Sequence, residues 1–256
     1  MKTAKPVIKV YLCMIVTLFS INFLKAQAPE KKVKYHENGQ IESETFYNAN
    51  NEPVGTWKFY HDNGQLKNIG EVRKGTFGKP VYQIGEWSAF HKNGKLESKG
   101  TLNNGYKEGI WNFYYDNGKP QATGSYGYFE EMQGEWKFYN PNGNLAEVGS
   151  FDEGTQVGIW KHHHENGKLA ETGNYREGMK DGEWKYYDEQ GKLVNTEVWS
   201  ARTVRESSGA FAKGLEVKLA DDSTVREGKW VYYNAGGMPA YTEVYEMGKL
   251  VKREDY

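Results

Sequence analysis

Apolar and polar residues alternate along most of this 256-residue chain, and glycine interrupts the alternation at short, regular intervals. A period of two residues predicts half-buried strands, and glycine between such runs predicts turns. In Gly158-Ile-Trp160-Lys-His-His-His-Glu-Asn166-Gly167-Lys-Leu169 two alternating runs flank Asn-Gly. Asn-Gly in that setting predicts a hairpin with a two-residue type I′ turn, in which both central residues need positive φ. Counting outward from that turn pairs Glu165 with Lys168, His164 with Leu169 and Trp160 with Gly173.

The pattern repeats. Gly-x-Trp occurs at Trp57, Trp87, Trp111, Trp136, Trp160, Trp184 and Trp230, with spacings of 30, 24, 25, 24, 24 and 46. Seven residues after each tryptophan stands a glycine, and Asn38-Gly39 marks an earlier unit with Lys32 in the tryptophan slot. Self-similarity at such a period is the mark of a repeat architecture. The expected fold is all-β: an elongated, curved antiparallel sheet of about eight 24-residue hairpins. The same count sets Trp57, Trp87, Trp111 and Trp136 against Gly70, Gly100, Gly124 and Gly149, as though each indole covered a bare strand position. Units seven and eight depart, with Glu197 and Glu243 opposite Trp184 and Trp230.

Alternation then predicts two unlike faces. One carries Trp57, Phe59, Leu66 and Val72, or Trp184, Tyr186, Leu193 and Trp199 in a later unit. The other carries a column of Tyr60, Phe90, Tyr114, Tyr139, His163, Tyr187 and Tyr233 among polar neighbours. A lone hairpin is marginal in water, so neighbours must stack to bury the apolar side.

Two steps are irregular. Six extra residues around Lys74 to Pro80 predict a lengthened loop. Residues 200–227 have neither tryptophan nor Asn-Gly. They predict an insertion or a degenerate hairpin, with Val217–Leu219 and Thr224–Val225 as strands around Ala220–Ser223.

At the N-terminus Lys2, Lys5 and Lys9 precede an apolar run, Val10 to Leu24, and the small residues of Ala26-Gln27-Ala28. This layout predicts a signal peptide over residues 1–28, cleaved after Ala26 or Ala28, with about 15 apolar residues too few for a comfortable span. The expected division is signal peptide 1–28, repeats one to seven over 29–199, the irregular stretch 200–227, and a terminal hairpin 228–256. An exported protein in the periplasm, on the outer surface or secreted is the expectation. Residues 1–28 hold four lysines, no acid and the single cysteine, Cys13. The remainder therefore has 29 basic and 34 acidic residues, a formal charge of −5, and no thiol. That balance argues against nucleic acid and against strong binding to membrane lipid.

Tyr175-x-x-Gly178-x-x-x-Gly182-x-Trp184-x-Tyr-Tyr187-x-x-x-Gly191-Lys-Leu193 resembles the MORN-repeat-variant family, and the resemblance extends over roughly residues 33–256. It implies a sheet of successive hairpins and a scaffold or binding role. Bacterial members often carry antitoxin-like or membrane-binding labels, and the second fits this charge poorly.

Candidate chemistry is sparse. His162-His163-His164 lacks further ligands at a recognisable metal spacing, and His36, His61 and His91 occupy the column of His164. Glu86, Glu135 and Glu183 recur before the tryptophan, as scaffold residues do; Asp221-Asp222 reads as a turn. No phosphate loop, dinucleotide fingerprint or nucleophile elbow is present. The expectation is a non-enzyme without cofactor or metal that binds a protein partner; the tyrosine column either stiffens the sheet by cross-strand packing or serves as the partner surface. A carbohydrate or cell-wall module using the same aromatic ladder is the alternative, an antitoxin-like or immunity-like protein a lesser one, and an enzyme with a site in 200–227 the least favoured.

Overall fold

The computed structural model describes residues 28–76, 78–202 and 223–256. The expected signal peptide, the proposed strand Val217–Leu219 and Asp221-Asp222 lie outside them. The described chain is built from eighteen antiparallel strands: β1 (Glu30–Tyr35), β2 (Ile41–Tyr47), β3 (Gly55–Tyr60), β4 (Leu66–Lys74), β5 (Val81–Phe90), β6 (Leu96–Asn103), β7 (Tyr106–Tyr114), β8 (Pro120–Tyr126), β9 (Met132–Tyr139), β10 (Leu145–Asp152), β11 (Thr155–His163), β12 (Leu169–Arg176), β13 (Met179–Tyr187), β14 (Leu193–Arg202), β15 (Ser223–Arg226), β16 (Gly228–Tyr233), β17 (Pro239–Glu246) and β18 (Lys249–Asp255). Each strand pairs with its neighbours in sequence, while β15 and β16 lie in one line along β14. The result is one open sheet of hairpins with β1 and β18 at its edges. At the usual strand separation its contour is about 80 Å.

The hairpin turns differ from the type I′ expectation. In the sixth unit the Gly167 N–H donates to the His164 carbonyl at 2.8 Å, and the His164 N–H donates to the Lys168 carbonyl at 2.8 Å. Only Gly167 has positive φ, at 85°. This is a three-residue loop, a type I turn closed by a left-handed glycine. It pairs His163, not His164, with Leu169, and a bulge at the next step then restores the counted register, so that Trp160 does face Gly173. The two one-residue shifts cancel. Trp57, Trp87, Trp111 and Trp136 likewise face Gly70, Gly100, Gly124 and Gly149, while Trp184 and Trp230 face Glu197 and Glu243.

The turn asparagine works through its side chain. Asn117 Oδ1 accepts the Lys119 N–H at 2.8 Å, and its Nδ2 donates to the Pro141 carbonyl of the next turn at 2.9 Å. Asn38, Asn63, Asn93, Asn142 and Asn166 make the same pair of bonds. Six asparagines thus form a ladder along one edge of the sheet. Beside it His36, His61, His91 and His164 set Nε2 against the carbonyls of Tyr60, Phe90, Tyr114 and Tyr187, at 2.7 to 3.1 Å. A carbonyl can only accept, so that nitrogen carries the proton.

The glycine opposite each tryptophan serves a different tryptophan. A Cβ on Gly124 would lie 2.1 Å from Cδ2 of Trp136, in the following unit, not against its ladder partner Trp111. Gly70, Gly100, Gly149 and Gly173 stand in the same relation to Trp87, Trp111, Trp160 and Trp184. The Gly-x-Trp segment makes this possible. Between β6 and β7 the pairs Lys99↔Asn112 and Thr101↔Glu108 leave Gly109, Ile110 and Trp111 against Gly100 alone. Gly109, with φ 66°, forms that bulge, and the indole folds down onto the bare backbone. The bulge also frees a carbonyl, which each indole N–H satisfies: Trp111 donates to Thr101 and Trp136 to Ser125, and all seven tryptophans do likewise at 3.0 to 3.2 Å. Trp160 and Trp184 are fully buried although the sheet is a single layer.

Candidate functional site

The tyrosine column is a strip with a composition the counted register misplaced. Tyr60, Phe90, Tyr114, Tyr139, His163, Tyr187 and Tyr233 face Leu66, Leu96, Pro120, Leu145, Leu169, Leu193 and Pro239. Opposed residues share a sheet face, so Leu66 and Leu193, expected beside the tryptophans, belong to the tyrosine face. The extra residue of the loop causes the change. All seven aromatic or histidine side chains are half-buried. Successive members lie two strands apart, about 9.6 Å, with an aliphatic ring or branch between them.

The tryptophan face is the core. Rings from the preceding strand meet the indoles edge-on: Tyr126 and Trp136 at 5.1 Å and 78°, Phe151 and Trp160 at 5.1 Å and 90°, Tyr175 and Trp184 at 5.0 Å and 81°. Such pairs add about 0.5–1.5 kcal/mol to their area burial. Lys180 Nζ sits 4.0 Å above Trp184, and the Arg226 guanidinium 4.5 Å from Trp230. In the C-terminal units this face turns polar. Glu197 accepts from Asn195 Nδ2 at 2.8 Å and from the Trp199 indole at 3.0 Å. Glu243 accepts from Tyr245 at 2.8 Å and lies 3.5 Å from Arg253. Burial, with Glu197 beside it, pushes the Tyr186 phenol well above its ordinary value. Burial and Glu243 do the same to Tyr232. The acids that replace glycine in units seven and eight are therefore bound into a network. By residue order alone they are only departures from the repeat.

The three consecutive histidines part company. His162 stacks on Trp160 at 6.0 Å and 27°, with Glu147 and Glu171 at 3.7 and 3.8 Å. The nearby His162 ring holds the Glu147 carboxyl below the usual range. His163 lies on the tyrosine strip, and His164 bridges to the next turn. Among the described residues no three His, Cys, Asp or Glu side chains converge on a metal position. Glu86, Glu135 and Glu183 pair with Lys99, Lys137 and Lys185 at 2.9 Å.

The opposite, inter-repeat edge is irregular. Four of its turns are two residues long and end in glycine, Asn104-Gly105, Glu153-Gly154, Glu177-Gly178 and Met247-Gly248. Between β8 and β9 the turn instead holds Tyr128 and Phe129, 82 % and 68 % exposed. Phe129 and Glu130 both have positive φ, at 58° and 63°. Glu130 anchors the turn by accepting the Lys107 N–H at 2.8 Å. Tyr106 meets Phe129 edge-on at 6.4 Å and 83°, and a cavity of about 600 Å³ opens beside them. Nothing in the spacing pointed to this corner beyond the single extra residue of the 25-residue step.

The model of the MORN repeat variant matches seven segments, residues 31–49, 53–74, 83–104, 107–127, 132–153, 156–177 and 180–199. The chain belongs to the MORN-repeat-variant family, whose repeats are commonly protein- or membrane-binding modules. The terminal hairpin β16–β17 falls beyond the matched segments yet keeps the Gly-x-Trp register. No curated protein matches. Among solved structures, a chain of the crystal structure of TcdB2-TccC3-Cdc42 is similar at 11 % identity over 84 % of this chain, with a TM-score of 0.21. A chain of TcdB2-TccC3-TEV is similar at 12 % identity over 88 %, with a TM-score of 0.18. This chain spans 14 % and 13 % of the length of those chains.

Proposed function

We propose that this protein is a non-catalytic, exported scaffold that binds another protein across the tyrosine strip. The observation that carries the reading is the strip itself. Seven aromatic or histidine positions, each backed by leucine or proline, run across an open sheet face that no other layer of the described chain covers. Tyrosine set in partly desolvated surroundings is a common anchor of protein interfaces. Glu86, Glu135, Glu183, His162 and His164 are held in contacts within the scaffold. Export rests on the N-terminal order of lysines, apolar run and small residues.

A photo-crosslinking residue at Tyr114 or Tyr139, used in intact cells, is expected to trap one protein species. Tyr114→Ala with Tyr139→Ala should weaken that binding at least tenfold. Crosslinking to envelope polysaccharide alone would favour the carbohydrate reading. Turnover abolished by one acid substitution would overturn the non-catalytic one.

A further inference from the structure

We propose that the aromatic corner on the inter-repeat edge is a second docking site. It takes an extended segment of another protein that carries a bulky apolar side chain beside a single carboxylate. The proposal rests on the reading of the array as a protein-binding module, though not on the tyrosine strip.

The corner is built against local preference. A two-residue turn ending in glycine suffices at Glu153-Gly154 and Glu177-Gly178, so connectivity does not require Tyr128 and Phe129. Phe129 adopts a left-handed backbone, which an aromatic residue rarely does, and still leaves 68 % of its surface in solvent. Strain of this kind persists where its surroundings hold it, and the Glu130 carboxylate holds it here through the Lys107 N–H and Nζ, at 2.8 and 3.3 Å. Three rings, Tyr106, Tyr128 and Phe129, then line one cavity of about 600 Å³.

The ring geometry and the charges select the occupant. Tyr106 and Phe129 stand edge to face at 83° and offer a corner for an apolar side chain, not a flat platform for a sugar ring. Lys107 and Glu130 bind each other, which leaves them poorly placed to read hydroxyl groups. Lys79 Nζ lies 5.3 Å from the Tyr106 ring centroid and 5.9 Å from that of Tyr82, and the Arg73 guanidinium is 5.9 Å from Tyr82. The Arg73 guanidinium donates to Asn104 Oδ1, whereas Lys79 forms no ion pair among the described residues and is the cation available to a carboxylate. Glu108 also lines the cavity, which favours one acid over a polyanion or an anionic membrane.

Arrays of 12-residue peptides test this directly. One set pairs Trp, Phe or Leu with adjacent Asp or Glu, a second replaces the acid by Lys, and a third replaces the apolar residue by Ser. The first set should be retained at least tenfold better than the others. Phe129→Ala should lower that retention tenfold, and Lys79→Glu should move the preference to the second set. Both positions are exposed, and unchanged tryptophan fluorescence would show that the array still folds. The strip variant Tyr114→Ala/Tyr139→Ala should leave the selection intact, so the two sites succeed or fail separately. Equal retention of all sets, a preference that survives both substitutions, or binding only to a glycan array or to anionic vesicles would overturn the proposal.

Discussion

At Gly124 a single methyl group is enough to test how neighbouring repeats interlock. Its Cβ would lie 2.1 Å from the Trp136 ring, and the ring is buried with nowhere to move. Gly124→Ala should cost about 3 kcal/mol or more, in the range of overpacked or strained core sites. In a Trp136→Ala background the same change should cost under about 1 kcal/mol, whereas Trp111→Ala should give no relief. A double-mutant cycle by chemical denaturation reads this, and relief by Trp111→Ala would restore the ladder partner as the cause. Asn117 offers a second residue-scale test. If asparagine served positive φ, Asn117→Gly would be neutral. Because the carboxamide closes its own turn and bonds the next, the substitution should cost about 1–2 kcal/mol, the order of the one or two hydrogen bonds lost.

At the scale of the element, each hairpin is a compromise between two bulges. One lies beside the Asn-Gly turn and restores the register after the three-residue loop has set leucine on the tyrosine face. The other, at Gly-x-Trp, drops the indole onto the preceding strand and gives its N–H a carbonyl. Where glycine is replaced by Glu197 and Glu243, polar contacts take over, and these tie stability to alkaline pH. The Tyr186 and Tyr232 phenols are held above their ordinary value of 10.0, so the folded state keeps protons that the unfolded chain releases. Their contribution is complete below about pH 10 and is lost as pH rises above it. Unfolding free energy should fall between pH 10 and 12, and Tyr186→Phe should flatten that slope. Absorbance at 295 nm should show one phenol fewer held back until unfolding in Tyr186→Phe than in the unaltered chain.

Across the whole molecule the two long edges do different work. The turn edge is tied from unit to unit by the asparagine ladder and by histidine, which leaves little freedom for change. Irregular length falls on the other edge: the turns between β2 and β3 and between β4 and β5, the Tyr128–Phe129 corner, and the step between β14 and β15. At that last step Trp199↔Arg226 and Ser200↔Val225 repeat the register of Tyr175↔Lys180 and Arg176↔Met179, and Arg202↔Ser223 extends it. The 46-residue spacing is therefore bridged by one ordinary inter-repeat pairing. Replacing residues 203–222 by Asn-Gly should leave circular dichroism and tryptophan fluorescence unchanged. Stability should stay level or rise by up to about 2 kcal/mol, because a shorter loop loses less entropy on closure. Loss of the folded array would mean that the segment supplies core contacts. Lysines line both outer strands, at Lys31, Lys32 and Lys34 of β1 and at Lys249 and Lys252 of β18, which discourages edge-to-edge pairing of copies.

The all-β class, the number of hairpins, the Trp160↔Gly173 register and the division into two faces could be derived from residue order alone. Each depends on local rules: a period of two, turn residues, and a motif recurring every 24 positions. Tyr175 stands in the Tyr175-x-x-Gly178 motif, but its edge-on contact with Trp184, like those of Tyr126 with Trp136 and Phe151 with Trp160, follows from the neighbouring strand and not from the motif. Tertiary structure decided which tryptophan each glycine admits, because counting along one hairpin says nothing about its neighbour. It decided the face of Leu66, since the extra residue of the loop and the bulge beside it cancel in the count yet flip the residues between them. It decided too that Glu197 and Glu243 are bound and that Phe129 is exposed, because burial and partnership are set by residues distant in sequence, which no local pattern records.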